Sequence, residues 1–192
     1  VQVSKLNARL DRRHQRRALT DTETAALIST TLGQPDWTWR TGRSHQSDHK
    51  RLTGPQRALL YQIALGTGLR RGELASLTPR SFSLADLEAA TVTVKAAYSK
   101  RRRDDVLPIR RDLAELMLAA MDGFAPHDPI FSLPDKTADM LRADLEAAGI
   151  TAKDASGQLV DFHALRHTYI TRLANSGVAP AVAKSLARHS TI

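Results

Sequence analysis

Apolar residues recur at helical spacing in the first third of the chain, between clear start and stop signals. A capping-box pattern begins at Thr20 and opens an amphipathic segment, AALIST, that ends at Gly33. A second helix is predicted from Pro55 through RALLYQIAL. Gly66 and Gly68 are expected to break it before a short helix, GELASL. The pattern thus predicts two helices that meet at a glycine elbow.

The middle of the chain changes to strand-like periodicity and then returns to helices. TVTVKAAY and DDVLPI are rich in β-branched residues and flank the polar run SKRRR, which predicts an antiparallel hairpin with a basic tip. Asp112 and Glu115 are expected to cap the next helix. Its predicted core positions are Leu113, Leu116, Met117 and Ala120. Further helices are predicted at about 137–148 and 162–176 and near Pro180. The predicted fold class is α+β, mainly α, with a small antiparallel sheet.

The segment Gln34–Gly54 is polar and rich in turn residues, which predicts a loop or an insertion. Trp37 and Trp39 alternate within it and could stack on bases or sugars, but a hydrophobic patch that holds the loop on the domain is the favoured interpretation. His45 and His49 have metal-ligand spacing without a helical sequence around them or nearby carboxylates. We interpret this pair as structural or incidental.

Composition and charge narrow the class of partner. The chain has 28 Lys plus Arg against 20 Asp plus Glu, a formal charge of +8, which favours a polyanionic partner with nucleic acid first. It has no cysteine, which excludes disulfides, thiolate zinc sites and cysteine nucleophiles and fits a reducing compartment. No long apolar run and no signal-peptide pattern are present, so we expect a soluble cytoplasmic protein without membrane contact.

The first residues are unusually basic and have few apolar positions. Five arginines fall within Val1–Arg17, so residues 1–18 are predicted to be a basic linker and residues 19–192 the folded domain. A solvated charged face is the simpler alternative for this run.

Two places along the chain combine residues that suit phosphate chemistry. Arg70 lies at the glycine elbow with Glu73 close by, so a carboxylate could hold its planar fork toward a phosphate. His163 and Arg166 are three residues apart and share one helix face, which places a proton acceptor beside a second guanidinium. The simpler alternatives are a surface arginine and a buried histidine bonded to the backbone. His167 points elsewhere and is expected to be structural.

Four boxes, TGLRRGEL, SKRRRDDVLPI, HALRH and LARHS, occur in this order across most of the chain. The order resembles the catalytic domain of the tyrosine recombinase family, the phage-integrase type. The resemblance implies an active site made of Arg70, Lys100, His163, Arg166 and His189. One departure stands out: Arg188 precedes the last histidine, where the family usually has glycine. Arg188 could add a phosphate contact or alter the packing.

The resemblance also implies a reaction. A tyrosine oxygen attacks a DNA phosphodiester, which gives a 3′-phosphotyrosyl link and a free 5′-hydroxyl, and strand exchange reverses the step without ATP, metal or other cofactor. Arg70 and Arg166 would stabilise charge on the nonbridging oxygens, and Lys100 would protonate the leaving 5′-oxygen. His163 would accept the phenol proton, while His189 would bond the phosphate.

Family members place the nucleophilic tyrosine shortly after the final histidine. Tyr61, Tyr98 and Tyr169 do not occupy that place. The nucleophile is therefore expected beyond Ile192, with donation from a partner subunit as the alternative, and the 192 residues alone are expected to bind DNA without cutting it. The implied partner is double-stranded DNA, held by a full-length homotetramer on two duplexes in a prokaryotic, nucleoid-associated setting. No small-molecule substrate is expected.

Other functions remain open from the sequence. The segment GVAPAVAKSLARHS could act as a helix-turn-helix-like element in a catalytically silent, sequence-specific DNA-binding module. A metal-dependent nuclease would need a carboxylate cluster, and the sequence suggests none. A type IB topoisomerase would share much of the chemistry.

Overall fold

A computed structural model describes residues 15–41, 49–99 and 102–188 of the chain. The helices are α1 (Asp21–Leu32), α2 (Gly54–Thr67), α3 (Arg71–Ala75), α4 (Arg111–Ala120), α5 (Thr137–Ala147), α6 (Phe162–Asn175) and α7 (Pro180–Leu186). The strands are β1 (Trp37–Arg40), β2 (His49–Leu52), β3 (Phe82–Ser83), β4 (Thr91–Val94) and β5 (Asp105–Pro108). The predicted class, α+β and mainly helical with a small antiparallel sheet, is confirmed.

Helix α2 lies at the centre of the hydrophobic core. Leu60, Tyr61, Ile63 and Ala64 are all buried, although successive positions of a helix point in different directions. A helix that is apolar on several sides must be covered on several sides. Helices α1, α4 and α6 pack around it, and α5 packs against α1 and α6.

The start of each of the first two helices is fixed by the same local device. The side chain of Thr20 accepts from the backbone N–H of Glu23, and that of Thr53 accepts from the backbone N–H of Gln56. Both N3 side chains return the bond to the N-cap backbone, which completes two capping boxes. The capping-box start predicted at Thr20 is thus confirmed.

The end of α2 differs from the prediction. Gly66 does not interrupt the helix, which continues to Thr67 and ends at Gly68 in the left-handed conformation, with φ +62°. Gly66 has another role, since a Cβ atom at this position would lie 2.7 Å from the Leu113 side chain. Glycine therefore lets α4 approach α2 closely.

The segment predicted as a loop contains a two-stranded antiparallel hairpin. Trp37 pairs with Leu52, and Trp39 pairs with Lys50. Both tryptophans are half-buried and pack against the core, which confirms the hydrophobic-patch interpretation. The sequence signal was weak because β2, HKRL, has only one apolar residue. His49 lies exposed on β2, and His45 is outside the described residues.

A buried ion-pair cluster joins α2 to α5 and closes the base of this hairpin. Arg57 binds the Asp144 carboxylate with two bonds of 2.8 and 3.0 Å, and Tyr61 donates to it at 2.6 Å. Arg57 also donates to the carbonyls of Pro35 and Leu52, both at 3.0 Å. Burial and the Asp144 charge raise the pKa of Tyr61 far above its usual value. We call Arg57, Tyr61 and Asp144 the α2–α5 cluster.

The second sheet has three antiparallel strands in the order β3–β4–β5. Strand β4 pairs with β5 from Thr91 opposite Pro108 to Val94 opposite Asp105, so the predicted hairpin is confirmed. The two-residue strand β3 was not predicted, because two residues give no periodicity.

Helix α4 starts and faces the core differently from the prediction. Its N-cap is Arg110, which makes no side-chain cap bond. Leu113 and Met117 are buried as expected, but Ala114 completes the buried face, and Leu116 is 43% exposed.

The residues before α1 are bonded to the segment that leads into α6. Leu159 donates its backbone N–H to the Gln15 carbonyl at 2.8 Å, and the N–H of Leu19 donates to Thr168 Oγ1 at 2.9 Å. The described part of the predicted linker is therefore attached to the domain, whereas residues 1–14 lie outside the described residues. Among the helices of the described residues, none is long and apolar enough to cross a membrane.

Candidate active site

The elbow between α2 and α3 presents Arg70 at the protein surface. Arg70 is the N-cap of α3, and its backbone N–H donates to Glu73 Oε2 at 2.7 Å. Its side-chain Nη1 donates to Glu73 Oε1 at 3.0 Å. The Arg70 side chain is 31% exposed, whereas the Glu73 side chain is 1% exposed. A buried carboxylate thus anchors a guanidinium that reaches solvent, in the arrangement predicted from the sequence.

Helix α6 places Arg166 against the same elbow. The buried guanidinium donates through Nη1 to the Gly68 carbonyl and through Nη2 to the Ala187 carbonyl. It therefore links the end of α2 to the end of α7. Burial, together with the charges of Arg70 and Arg188, lowers the pKa of Arg166 to about 10, so Arg166 is still charged at neutral pH.

His163 lies one turn before Arg166 on α6, at an exposed position. Partial desolvation of its ring lowers its pKa below the usual value, and the positive charges of Arg16, Arg166 and Arg70 lower it further. Asp161 acts in the opposite direction. The imidazole is consequently neutral at pH 7 and able to accept a proton. The structure thus brings Arg70, His163 and Arg166 into one charged neighbourhood.

Arg188 completes the buried side of this neighbourhood. Its Nη2 donates to Glu73 Oε2 at 2.8 Å and to the Gly68 carbonyl at 3.4 Å. Its Nη1 lies 3.9 Å from Asp105 Oδ2. The side chain is only 1% exposed, so in this position Arg188 does not reach a phosphate at the surface. Its φ of +52° is in the left-handed region, which explains why glycine suits this position.

The charges around the elbow do not balance. Burial opposes ionisation of Glu73, but hydrogen bonds from Arg188 and Arg70 outweigh it, so the pKa of Glu73 lies below its usual value. Three guanidiniums, Arg70, Arg166 and Arg188, thus face the carboxylates of Glu73 and Asp105. A positive surplus at a partly exposed surface favours an anion there.

Several predicted residues fall elsewhere or outside the described residues. Lys100 and His189 are both outside the described residues. Arg102 and Arg103 are exposed, which agrees with the basic tip predicted for this hairpin. His167 is exposed on α6, so the expectation that it is a structural histidine was wrong.

The three tyrosines differ in their surroundings. Tyr61 is fully buried and bonded to Asp144. Tyr169 is half-buried, and desolvation raises its pKa although Arg188 and Arg166 oppose the rise. Tyr98 is 59% exposed after β4. Neither Tyr61 nor Tyr169 is prepared for deprotonation at neutral pH.

Within the described ranges, no group of three or more histidine or acidic side chains is arranged to hold a metal ion. The buried carboxylates of the site, Glu73 and Asp105, are instead engaged by arginines.

The sequence matches the model of the phage integrase family over residues 45–192. This chain belongs to the phage integrase family. No curated protein sequence matches it significantly. The fold of this integrase-family chain is similar to that of XerA recombinase, with TM-score 0.67 and 17% identity over 93% of this chain and 56% of that chain. It is also similar to the catalytic domain of bacteriophage HP1 integrase, with TM-score 0.61 and 17% identity over 92% of this chain and 83% of that one.

Two proteins solved in complex with DNA have a similar fold. The XerH site-specific recombinase bound to its difH substrate has TM-score 0.64 and 15% identity over 93% of this chain and 48% of that chain. The Tn1549 transposon integrase with transposon right-end DNA has TM-score 0.65 and 18% identity over 94% of this chain and 60% of that chain. This integrase-family chain thus spans about half the length of the XerA and XerH chains.

Two residues of the site have contacts that the sequence did not predict. Arg16, placed in the predicted linker, bonds Asp161 at 2.8 Å and lowers the pKa of His163. For Arg188 the sequence left a phosphate contact and altered packing as alternatives, and it gave no sign of the bond to Glu73. A sequence pattern gives local spacing, whereas both contacts join segments more than a hundred residues apart.

Proposed function

We propose that this protein performs site-specific DNA recombination by breaking and rejoining strands through a 3′-phosphotyrosyl intermediate. The observation that supports this most directly is the convergence of two anchored guanidiniums, Arg70 and Arg166, beside an unprotonated His163. Binding a phosphate requires the first two groups, and activating a phenol requires the third. Membership of the phage integrase family supports the same conclusion.

The proposed roles follow from the geometry of each group. Arg70 reaches solvent while Glu73 fixes it, so it can bond a nonbridging oxygen without reorganising. Arg166 adds a second positive charge from the buried side of the elbow. Its guanidinium is fixed by the backbone carbonyls of Gly68 and Ala187. Charge that gathers on the phosphate in the transition state is stabilised by such preorganised donors. His163 accepts the proton of the attacking phenol, whose free pKa is about 10.

Lys100 and His189 are proposed to complete the site. Lys100 lies between β4 and β5 in the sequence and would give a proton to the leaving 5′-oxygen, as the family resemblance implies. His189 directly follows Arg188 in the sequence. The bond from Arg188 to Glu73 holds the Arg188 side chain beside that carboxylate. We propose that His189 bonds the phosphate from that side. The proposed reaction uses no metal ion or other cofactor.

The nucleophile is proposed to be a tyrosine that follows His189 in the polypeptide. Tyr61 is buried against Asp144, and desolvation raises the pKa of Tyr169, which both argue against these two residues. Tyr98 precedes Lys100, whereas the family places its tyrosine after the last histidine. On this proposal, residues 1–192 bind DNA but do not cleave it.

Double-stranded DNA is the proposed partner. The formal charge of +8 and the exposed Arg102 and Arg103 support a polyanion. The XerH and Tn1549 proteins, which have a similar fold, were solved on DNA, and this supports the same class of partner. We further propose that the full-length protein acts as a homotetramer on two duplexes in the cytoplasm of a prokaryote, associated with the nucleoid, and that residues 1–18 connect this domain to a preceding one.

A silent DNA-binding module is the second candidate. Its support is the basic composition and the short helix α7 after a turn at Gly177. Groove reading would not require a buried carboxylate that orients Arg70, nor a histidine kept neutral beside two arginines. These two features favour the enzyme.

A suicide DNA substrate separates the two candidates. The polypeptide continued past Ile192 through the tyrosine-bearing segment is incubated with a nicked recombination site that releases a short 5′-hydroxyl fragment after cleavage. We expect a covalent protein–DNA adduct that survives denaturing electrophoresis. A folded, DNA-binding protein that forms no adduct would favour the silent module.

A further inference from the structure

Arg188 is the most unusual residue of the described structure. It combines a buried guanidinium, 1% exposed, with a backbone φ of +52°. Its Nε and Nη1 have no hydrogen-bond partner among the described residues. A left-handed conformation in a non-glycine residue and unpaired buried donors both oppose folding. Arg188 thus carries a cost in folding that a glycine at this position would avoid.

The contacts of Arg188 connect the parts of the site. Through Glu73 Oε2 it is linked to Arg70, which bonds the other oxygen of that carboxylate. Through the Gly68 carbonyl it is linked to Arg166, which donates to the same oxygen atom. Asp105, near its Nη1, also accepts from Ser99 in the turn that leads to the predicted lysine. One side chain therefore lies between both catalytic guanidiniums and the β4–β5 turn.

The geometry at Glu73 shows what this position achieves. A carboxylate and a guanidinium frequently form two parallel hydrogen bonds. These bonds use both carboxylate oxygens and two N–H groups of the guanidinium. Here Glu73 Oε2 is occupied by Arg188 Nη2 and by the Arg70 backbone, so the Arg70 side chain bonds only Oε1, through Nη1. The remaining Arg70 N–H groups have no acceptor among the described residues and can face a phosphate.

We propose that Arg188 is a positioning residue of the strand-cleaving site. It occupies one oxygen of Glu73 and thereby prevents that carboxylate from capturing Arg70 with both oxygens, so that Arg70 keeps donors for the scissile phosphate. It acts on Arg166 through their common acceptor, the Gly68 carbonyl. This inference rests on the proposed function, because it assigns a role within the cleavage step.

The test compares three substitutions at this position in the tyrosine-containing polypeptide. Arg188→Met removes the charge and keeps most of the length. Arg188→Lys keeps the charge, and Arg188→Gly removes the charge while it relieves the backbone. Arg110→Met, in an exposed ion pair with Asp112, serves as the matched control. The rate of adduct formation is measured at saturating suicide DNA, and the dissociation constant is measured by fluorescence anisotropy.

We expect Arg188→Met and Arg188→Gly to lower the cleavage rate by roughly 100-fold, the typical effect of a misplaced catalytic group. The dissociation constant should change by less than about threefold, because Arg188 is buried and contributes little to a charge footprint. Arg188→Lys should recover about tenfold of the loss, since one charged donor still occupies Glu73. Arg188→Gly separates this role from backbone strain, since a purely strained residue would improve when replaced by glycine.

A double mutant tests the mechanism directly. If unpaired Glu73 captures Arg70 in Arg188→Met, then Glu73→Gln should raise the cleavage rate of that variant by about tenfold, because a neutral amide binds a guanidinium less strongly. Wild-type rates in Arg188→Met and Arg188→Gly, or losses in the double mutant equal to the product of the single losses, would overturn the inference. A wild-type protein that forms no adduct would instead overturn the proposed function.

Discussion

Two buried arginine clusters in this chain have opposite designs. In the α2–α5 cluster, Arg57 donates from all three of its nitrogens, and its charge is balanced by Asp144. At the elbow, three guanidiniums face the carboxylates of Glu73 and Asp105. Two nitrogens of Arg188, Nε and Nη1, have no hydrogen-bond partner among the described residues. In the α2–α5 cluster every nitrogen of Arg57 is hydrogen-bonded and its charge is balanced. The elbow has a surplus of positive charge and, in the described part of the chain, N–H groups without acceptors.

This difference shows how the same residue type can stabilise a fold or prepare a binding site. A saturated buried pair contributes when both partners are present and becomes costly when one is removed. An unbalanced cluster costs stability in the free protein and recovers it when an anion arrives. The lowered pKa of Arg166, which burial and neighbouring cations cause, is the electrostatic sign of that cost.

The largest expected effect comes from breaking the balanced cluster. Asp144→Ala leaves the buried Arg57 without its counter-ion, so we expect the free energy of unfolding to fall by about 3–5 kcal/mol. Urea denaturation of the 192-residue chain measures it. Asp112→Ala removes the partner of the exposed Arg110 and should cost less than about 1 kcal/mol. Equal losses in the two variants would contradict the structural role of the α2–α5 cluster.

Breaking the unbalanced cluster should affect cleavage more than folding. Arg166→Ala removes a fixed positive charge beside the phosphate site and the bonds that hold the Gly68 and Ala187 carbonyls, so we expect the rate of adduct formation to fall by about 10²–10³-fold. DNA affinity should be largely retained, because one phosphate contact is a small part of the total charge footprint.

The matched control is Arg142→Ala, which removes an exposed arginine paired with Asp139 on α5 and should leave cleavage unchanged. Equal losses of affinity and cleavage in Arg166→Ala would favour the silent DNA-binding module.

The elbow glycine offers a smaller and more local perturbation. In Gly68→Ala, the new Cβ would lie 2.3 Å from the Tyr169 ring, at a φ of +62°. We expect a loss of about 1–3 kcal/mol in unfolding free energy from this strain. Cleavage should also slow, because the Gly68 carbonyl accepts from Arg166 and Arg188.

Gly72→Ala is the matched control for this substitution. It adds the same methyl group four residues later, inside α3, where nothing lies within 4 Å. A helical position favours alanine, so the variant should be neutral or more stable by up to about 1 kcal/mol. Similar destabilisation in both alanine variants would argue against a special role for the elbow.

The smallest expected effect concerns the pH dependence of cleavage. Partial desolvation and nearby cations lower the pKa of His163, so the group remains an unprotonated base as pH falls through its usual value. Cleavage should therefore lose activity only below about pH 6.5, the reference value for histidine. Arg16→Gln removes one of those cations and leaves Asp161 uncompensated, so both changes raise the pKa of His163.

The expected result is an acid limb that moves toward higher pH in Arg16→Gln. The single-turnover cleavage rate is measured between pH 5 and 8, with Arg142→Ala as the control. A limb that moves toward lower pH, or that survives in His163→Asn, would contradict the role of His163 as the base.

Much of the helical framework could be predicted from the sequence. Thr20 and the apolar spacing of α2 and α6 are local signals, and the structure follows them. The errors came from features that depend on distant neighbours. Gly66 looks like a helix breaker in isolation, but it provides space for Leu113. Leu116 has core spacing within α4, but it is 43% exposed in the described part of the chain.

The site could be predicted only where it follows a motif. The boxes around Arg70 and His163 identify those residues, and the carboxylate at Glu73 is close enough in sequence to suggest an anchor. The contact between Arg188 and Glu73 joins residues 115 positions apart. No pattern within either segment encodes it, so only the fold could place a second cation behind the first.

The way in which Arg57 closes the β1–β2 hairpin has a practical consequence. Arg57 donates from the core to the Pro35 and Leu52 carbonyls, so both ends of the hairpin are held in place. Lengthening the connection between Arg40 and His49 should then leave both strand ends in place, and loop-closure entropy adds about 0.6 kcal/mol for each doubling of its length. That connection offers a place to graft a fluorophore or a small reporter domain, so that assembly on DNA can be followed without altering either end of the polypeptide.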